Sequence, residues 1–327
     1  MAVAANVSVT TVSDSLTGKG RLPAETRERV LRIAERLGYR ASTAAKNLRA
    51  ARTGILLMSI CTPDTDDATS WNIEFFIRVM SGASEHAFAR GYALAMTPLT
   101  VSRDSSRVPC DGVVVVDPVA DDHLVRRAEA ERLPLVTVGR LGGHQEYVDN
   151  DIPTLVAEVL DHFAAQRARR PALISSVTDA SYTAAAVAAY RRWCGRHGTE
   201  PRVVIVSGGL SEEAARTAAA ELFATDPPDA ILATLDSLAK GVSTAARAAG
   251  IAVPGRCLIA SLADSASIAG APIPITAVDL NPAAMGRAAA MLIDRVESGG
   301  LTGPVLIPAE LRIRASSERA TDQDLSY

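Results

Sequence analysis

Residues 5–16 read ANVSVTTVSDSL. Ser8 is a helix-capping residue type, and Val9, Val12 and Leu16 recur at helical spacing while Thr10, Ser13 and Asp14 point elsewhere. The stretch is therefore a short amphipathic helix with a hydroxyl-rich outer face. Asn6 before it suits a left-handed turn position, because its short polar side chain tolerates positive φ. Upstream, residues 1–5 leave room for only a short first helix. Downstream of Gly18-Lys19-Gly20, Pro23 is placed to open a helix and Gly38 to close it, with Val30, Ile33, Ala34 and Leu37 as its buried stripe. Such a helical unit is too small for an enzyme and suits docking a helix in a DNA groove.

Residues 1–53 carry ten Lys and Arg against four acids, a local charge of +6 in a chain whose total is −3. That asymmetry points to a phosphate backbone as one partner of the basic end. The same charges also fit the solvated faces of surface helices. Residues 42–51, STAAKNLRAA, form a helix too short to stand alone in water, where about 12–15 residues are needed. It orders only against a partner, and Leu48 has no core neighbour among Lys46, Asn47 and Arg49.

These features together resemble the headpiece and hinge of the lactose-repressor and galactose-repressor (LacI/GalR) family. The resemblance is carried by Ala5-Asn6-Val7-Ser8, Thr11-Val12-Ser13, PAETRERV at 23–30, Leu37-Gly38-Tyr39 and Ala44-Ala45-Lys46-Asn47-Leu48-Arg49. It implies a headpiece over residues 1–40, a hinge helix and linker over 41–53, and a homodimer on near-palindromic double-stranded operator DNA. It also implies that Ser8 opens the recognition helix and that Val9, Thr10 and Asp14 read bases. Thr11, Ser13, Thr26 and Tyr39 would then touch phosphates, while Asn47 and Leu48 enter the minor groove with Leu48 as the wedge. Asp14 stands where the family often has Arg; an acid there repels phosphate and accepts from a donor such as cytosine N4.

From Gly54 onward, short apolar runs (55–60, 92–96, 111–116, 135–139, 172–176, 203–207, 229–233 and 258–262) alternate with Ala-rich amphipathic segments. Repeated βα units imply parallel sheets covered by helices on both faces. Eight strands exceed one comfortable sheet, so the fold class is α/β with two Rossmann-like lobes, and ligand sits beyond the carboxyl ends of the strands. The resemblance extends through AGIAVP (249–254), Asn281-Pro282, Gly286 and PAELRIRAS (308–316). It implies a sensor like the periplasmic sugar-binding proteins over residues 54–316. Lobe one would hold 54–163 and 280–305, and lobe two 164–279 and 306–316, with crossings near 163, 279 and 306. Residues 317–327 read as a polar, disordered tail.

The ligand-reading positions depart from the family. Its usual Arg before an aromatic is Ala186 before Tyr190, its Asn-Asp pair is Leu235-Asp236, and its next strand-end Asp is Ala263. Losing an Arg together with its acidic partner implies a pocket less polar than a sugar site. Trp71, Phe75 and Tyr182 are its aromatic candidates and Asp117, Asp149, Asn150 and Asp236 its polar ones, though core packing competes for each aromatic and helix capping competes for Asp236.

At 327 residues and 48% hydrophobic, the chain can bury two or three cores. Cys61, Cys110, Cys194 and Cys257 lie too far apart for zinc spacing and read as reduced thiols of a cytoplasmic protein. No secretory signal and no membrane-spanning run are visible. No dinucleotide fingerprint, P-loop or nucleophile elbow occurs, so neither a cofactor, a metal nor an enzyme is expected. The reading is a ligand-controlled DNA-binding repressor with an unidentified small-molecule effector. A sensor or dimerisation protein without operator affinity, its first helix being incomplete, is the second reading.

Overall fold

The computed structural model describes residues 1–17, 22–38, 52–61, 73–97, 108–176, 181–206, 211–298 and 303–319. The chain divides into two units, Met1–Gly54 and Ile55–Tyr327.

In the first unit, α1 (Ala2–Ala5), α2 (Val9–Thr17) and α3 (Ala24–Arg36) follow one another. Asn6 ends α1 in the left-handed region at φ 51°, as its side chain allows. Ser8 Oγ accepts from the Thr11 N–H at 3.0 Å and so satisfies one of the open donors of α2. Ala5, Val12 and Val30 form the core, with Leu16 and Ile33 packed around it. Two residues expected in that stripe lie outside it, Val9 at 76% and Leu37 at 53% exposure. Val9 is the first residue of α2, while the buried positions of that helix are Val12 and Ser15. Leu37 falls beyond the end of α3, in the turn that Gly38 closes at φ 61°.

The second unit holds two six-stranded sheets. The first lobe contains β1 (Ile55–Ile60), α4 (Ile73–Ala89), β2 (Ala93–Met96), β3 (Gly112–Val116), α5 (His123–Glu131), β4 (Leu135–Val138) and β5 (Tyr147–Asp149). The second contains α6 (Ile152–Ala165), β6 (Pro171–Ser176), α7 (Ser181–Arg196), β7 (Val203–Val206), α8 (Glu212–Thr225), β8 (Ala230–Ala233), α9 (Asp236–Ala248), β9 (Leu258–Ser261), α10 (Ala266–Ala269) and β10 (Thr276–Asp279). The chain then returns to the first lobe as α11 (Pro282–Glu297) and β11 (Val305–Leu306), and ends in the second as β12 (Glu310–Arg312).

Strand orders are β11-β5-β4-β3-β1-β2 and β12-β10-β9-β8-β6-β7. Every pairing is parallel except β10 with β12. All residues of β3, β6, β8 and β9 are buried, as strands covered on both faces must be. One apolar cluster runs through both lobes, from Val114 and Val136 through Val159 and Phe163 to Tyr190 and Trp193.

Three segments cross between the lobes. The first is Asn150-Asp151 and not the region of residue 163, because α6 packs against α7 and belongs to the second lobe. The second is Leu280-Asn281, and the third lies at 307–309. The segment from Ser317 also differs from a loose tail. Ser316 and Ser317 are fully buried. Ser317 Oγ stands 2.8 Å from His162 Nε2 and 2.6 Å from Thr276 Oγ1, and Arg319 donates to the Gln166 and Pro254 carbonyls. Among the described residues no helix is long and apolar enough to cross a membrane.

The returning helix α11 docks on α4 with almost no space between backbones. A methyl group added at Gly286 would stand 1.9 Å from the Val79 carbonyl oxygen, and one at Gly82 would stand 2.0 Å from that of Ala283. Backbone cannot yield as a flexible side chain can. Gly286→Ala should therefore cost about 1–3 kcal/mol, the range for overpacking. Urea unfolding of the variant checks this, with Gly195→Ala, where nothing lies within 4 Å, as the control expected to be close to neutral.

Candidate functional site

In the headpiece, Ser8, Val9 and Thr10 are exposed on the first turn of α2, and Thr11, Ser13 and Asp14 are half-buried. Ser8 and Thr11 are tied to each other, their hydroxyls 2.8 Å apart. Thr26 is half-buried in the first turn of α3. A small apolar side chain between two hydroxyls thus faces outward from a helix N-terminus, where positive dipole and open N–H groups favour phosphate. Tyr39, Asn47 and Leu48 lie outside the described residues, as does Trp71.

In the two-lobed unit the strand ends converge as the parallel topology requires. Asp117 follows β3 in the left-handed region at φ 50°, and Gly139 follows β4 at φ 96°. A methyl at Gly139 would lie 3.5 Å from Asp117 Oδ1, so the glycine leaves the carboxyl its space. Among the described residues, no side-chain hydrogen bond or ion pair holds Asp117. Burial, reinforced by the nearby Asp149 charge, pushes its carboxyl up to about 7. Asp149, at the end of β5, is buried and bonded to Arg140 Nε at 2.8 Å. Burial raises its pKa and the Arg140 bond opposes that rise.

From the second lobe, Tyr182 on the first turn of α7 donates its hydroxyl to the Thr234 carbonyl at 2.8 Å. Burial raises its pKa well above 10, and the charges of Asp117, Asp236 and Asp149 raise it further, which places the hydroxyl among all three acids. Asp236 opens α9 without capping it, since the N-cap position is Leu235. Its Oδ1 is buried with no hydrogen-bond partner, and its pKa is raised by burial, with Ser265 acting in the opposite sense. Glu74, on α4, reaches across the lobes to accept from the Ala266 N–H at 2.8 Å. The Arg140 N–H likewise crosses to Ser181 Oγ at 3.1 Å.

Four of the expected pocket residues, Asp117, Asp149, Tyr182 and Asp236, therefore gather in one cleft, which is acidic where a less polar pocket was expected. Phe75 splits its role: it packs on the core and edge-on against Phe76, with ring centroids 5.4 Å apart. Asn150 departs from expectation. It is 1% exposed, and its amide donates to the Leu280 and Ile307 carbonyls at 3.1 and 2.8 Å, so it clamps the crossings and does not offer its donors to a ligand.

Tyr190 is likewise structural, bonded to the Pro171 carbonyl. Asp264 beside Ala263 is taken by Arg314 at 2.6 Å and by Arg312 at 3.3 Å. Sequence reasoning missed Arg140, Glu74 and Ser265. Only Arg140 had a visible signal, following a strand that ends in glycine. Among the described residues no group of His, Cys, Asp and Glu could hold a metal ion, and the four cysteines are free.

The family model described as bacterial regulatory proteins, lacI family, matches residues 1–42, and the periplasmic binding protein-like domain matches residues 160–317. The chain carries a LacI-family DNA-binding domain followed by a periplasmic-binding-protein-like domain. It joins a LacI-type DNA-binding headpiece to a ligand-binding sensor and is a transcriptional regulator of a family made of regulators and not of enzymes. Among its relatives, the HTH-type transcriptional regulator CelR of Thermobifida fusca is 26% identical over 327 residues, 96% of this chain and 95% of that protein. The fold is shared with a solved CelR–cellobiose complex (TM-score 0.72, 23% identity, 96% of this chain and 98% of that one). It is also shared with the Lac repressor dimer bound to operator and the anti-inducer ONPF (TM-score 0.77, 17% identity, 97% of each chain).

Two outcomes follow from this LacI-family geometry. Asp117 has a folded pKa near 7 against about 3.9 unfolded, so the folded state binds the extra proton between those values and loses stability as pH rises through 7. Asp117→Asn removes that pH dependence, so its stability relative to the parent should rise by about 2–3 kcal/mol between pH 5 and pH 8, as urea unfolding at the two pH values will show. Asn150→Ala leaves two enclosed carbonyls without donors and should cost about 2–4 kcal/mol in urea unfolding. Asn150→Asp should be no better, because a carboxylate has no donor to give them.

Proposed function

We propose that this regulator is a cytoplasmic repressor that binds near-palindromic operator DNA as a homodimer, with a small molecule in the lobe cleft setting operator affinity. The observation that carries the DNA half is the outward turn of α2, Ser8, Val9 and Thr10, on a segment of charge +6. Val9, Thr10 and Asp14 read bases, with Val9 suited to a thymine methyl and Asp14 to a cytosine amine. Ser8, Thr11, Ser13, Thr26 and Tyr39 hold phosphates, and Asn47 and Leu48 of two paired hinge helices open the minor groove. One short helix cannot pry a groove apart, which is the physical reason for a dimer.

The sensor half rests on Asp117, Asp149, Tyr182 and Asp236 meeting between two lobes joined by three short crossings, with Phe75 as apolar wall. CelR has been solved with cellobiose, which supports a small hydroxylated molecule in the corresponding cleft. No catalytic role is assigned to the carboxyls.

Selection of the purified chain on random duplexes at near-physiological salt should recover a palindrome with a flexible central step. Absence of enrichment from folded dimer would instead make the chain a ligand sensor without operator affinity. On the recovered site, Leu48→Ala should weaken specific binding at least tenfold while barely changing affinity for unrelated duplex. Gel-shift titrations on both DNAs measure this, and equal losses would sink the wedge assignment.

A further inference from the structure

Among the described residues, the cleft holds more negative charge than its cations neutralise. Glu74, Asp117, Asp149 and Asp236 all face it, and the described cations at this end of the lobes are committed. Arg140 pairs with Asp149 at 2.8 Å and lies over the Tyr147 ring, and Arg78 is 3.9 Å from Asp279. Arg312 serves Asp279 and Asp264, and Arg314 serves Asp264.

A second observation is independent of charge. Ser176, 4% exposed at the end of β6, has a hydroxyl without a hydrogen-bond partner, and Asp236 Oδ1 is likewise unmet beside the buried Ser265. Unmet polar atoms at such depth are costly and mark where a bound group completes the set.

A neutral polyol would satisfy these atoms yet leave desolvated carboxylates uncompensated, and an anionic ligand would add to them. We propose that the effector is a hydroxylated amine, an amino sugar or amino polyol, whose cationic nitrogen lies between Asp117 and Asp236 beside the Tyr182 hydroxyl and one of whose hydroxyls reaches Ser176. This rests on the reading of the cleft as the effector site. Tyr182 contributes an aromatic face that favours a cation, while Glu74 and Asp149, already bonded to Ala266 and Arg140, shape the field around it. Asp117 must be ionised to hold the nitrogen, so binding expels a proton near neutral pH.

The test uses two matched sets that differ only in charge: glucamine, sorbitol and gluconate, then glucosamine, glucose and glucuronate. Calorimetry on the full chain should rank amine above neutral above acid in both sets. Glucamine affinity should rise about tenfold from pH 6 to pH 8 with proton release that varies with buffer. Asp117→Asn should lose at least tenfold for glucamine and so erase the preference of glucamine over sorbitol, and circular dichroism confirms that the variant is folded. A neutral or acidic member that binds best, a pH-independent glucamine affinity, or no binding by either amine overturns the proposal. The sensor reading is judged separately, by whether the fraction of a cell extract below 3 kDa alters operator binding. If it does while both amines fail, the cleft is a sensor of another ligand class; if it does not, the sensor reading itself fails.

Discussion

One side chain holds the three places where the chain passes between lobes. Asn150 sits on the first crossing and gives both amide hydrogens away, one to Leu280 on the second and one to Ile307 on the third. Carbonyls in such segments have no ladder partner of their own, and buried ones must find a donor elsewhere. An amide with two N–H groups on one nitrogen is the smallest unit that serves two of them at once. The preceding residue is Asp149, which accepts the Asn150 N–H at 2.9 Å and pairs with Arg140 in the cleft. Cleft and hinge are therefore one dipeptide, and any load on Asp149 is felt where the lobes join.

The second crossing feeds directly into the tightest packing of the first lobe. Asn281 turns the chain in the left-handed region at φ 54°, and α11 then lies on α4 through Gly286 and Gly82. The first turn of α4 carries Glu74 and Phe75, so the hinge reaches the cleft wall a second time through backbone contact. Across the cleft, the bonds of Arg140 to Ser181 and of Glu74 to Ala266 join the lobes. Each is worth only about 0.5–3 kcal/mol net. Closure held by such small terms can be shifted by a ligand whose preference for one state is a few kcal/mol.

Much of this was legible in the chain because period and punctuation are local. Asn6, Ser8 and Gly38 announced their turns and cap, and all eight apolar runs are strands. Of the strands that escaped, β5, β11 and β12 have two or three residues, too few for a pattern to repeat, and β10 has only Ala277 and Val278 as apolar residues between Thr276 and Asp279. The first crossing was misplaced for a related reason: α6 is amphipathic whichever lobe it covers, and its partner α7 is distant in sequence. Asn150 read as a ligand residue because an Asp-Asn pair after a strand has the same composition whether it faces a pocket or a hinge. The burial of Ser316 and Ser317 depends on His162 and Thr276, which no spacing rule links to them.

The acidic cleft has a cost that falls on the empty protein. At neutral pH Asp117 is poised near half-ionisation, and Asp149 and Asp236 are likewise pushed toward their protonated forms by burial. These groups contribute nothing to folding that apolar residues of similar size would not supply more cheaply, so their presence favours whatever state brings them a counter-charge or water. An open cleft supplies water and a closed, occupied one supplies ligand. A closed but empty cleft has neither, which makes it the least favourable of the three at neutral pH. A ligand that brings counter-charge removes that electrostatic obstacle to closure, and the Asn150 clamp, bonded to both other crossings, ties the cleft to the hinge.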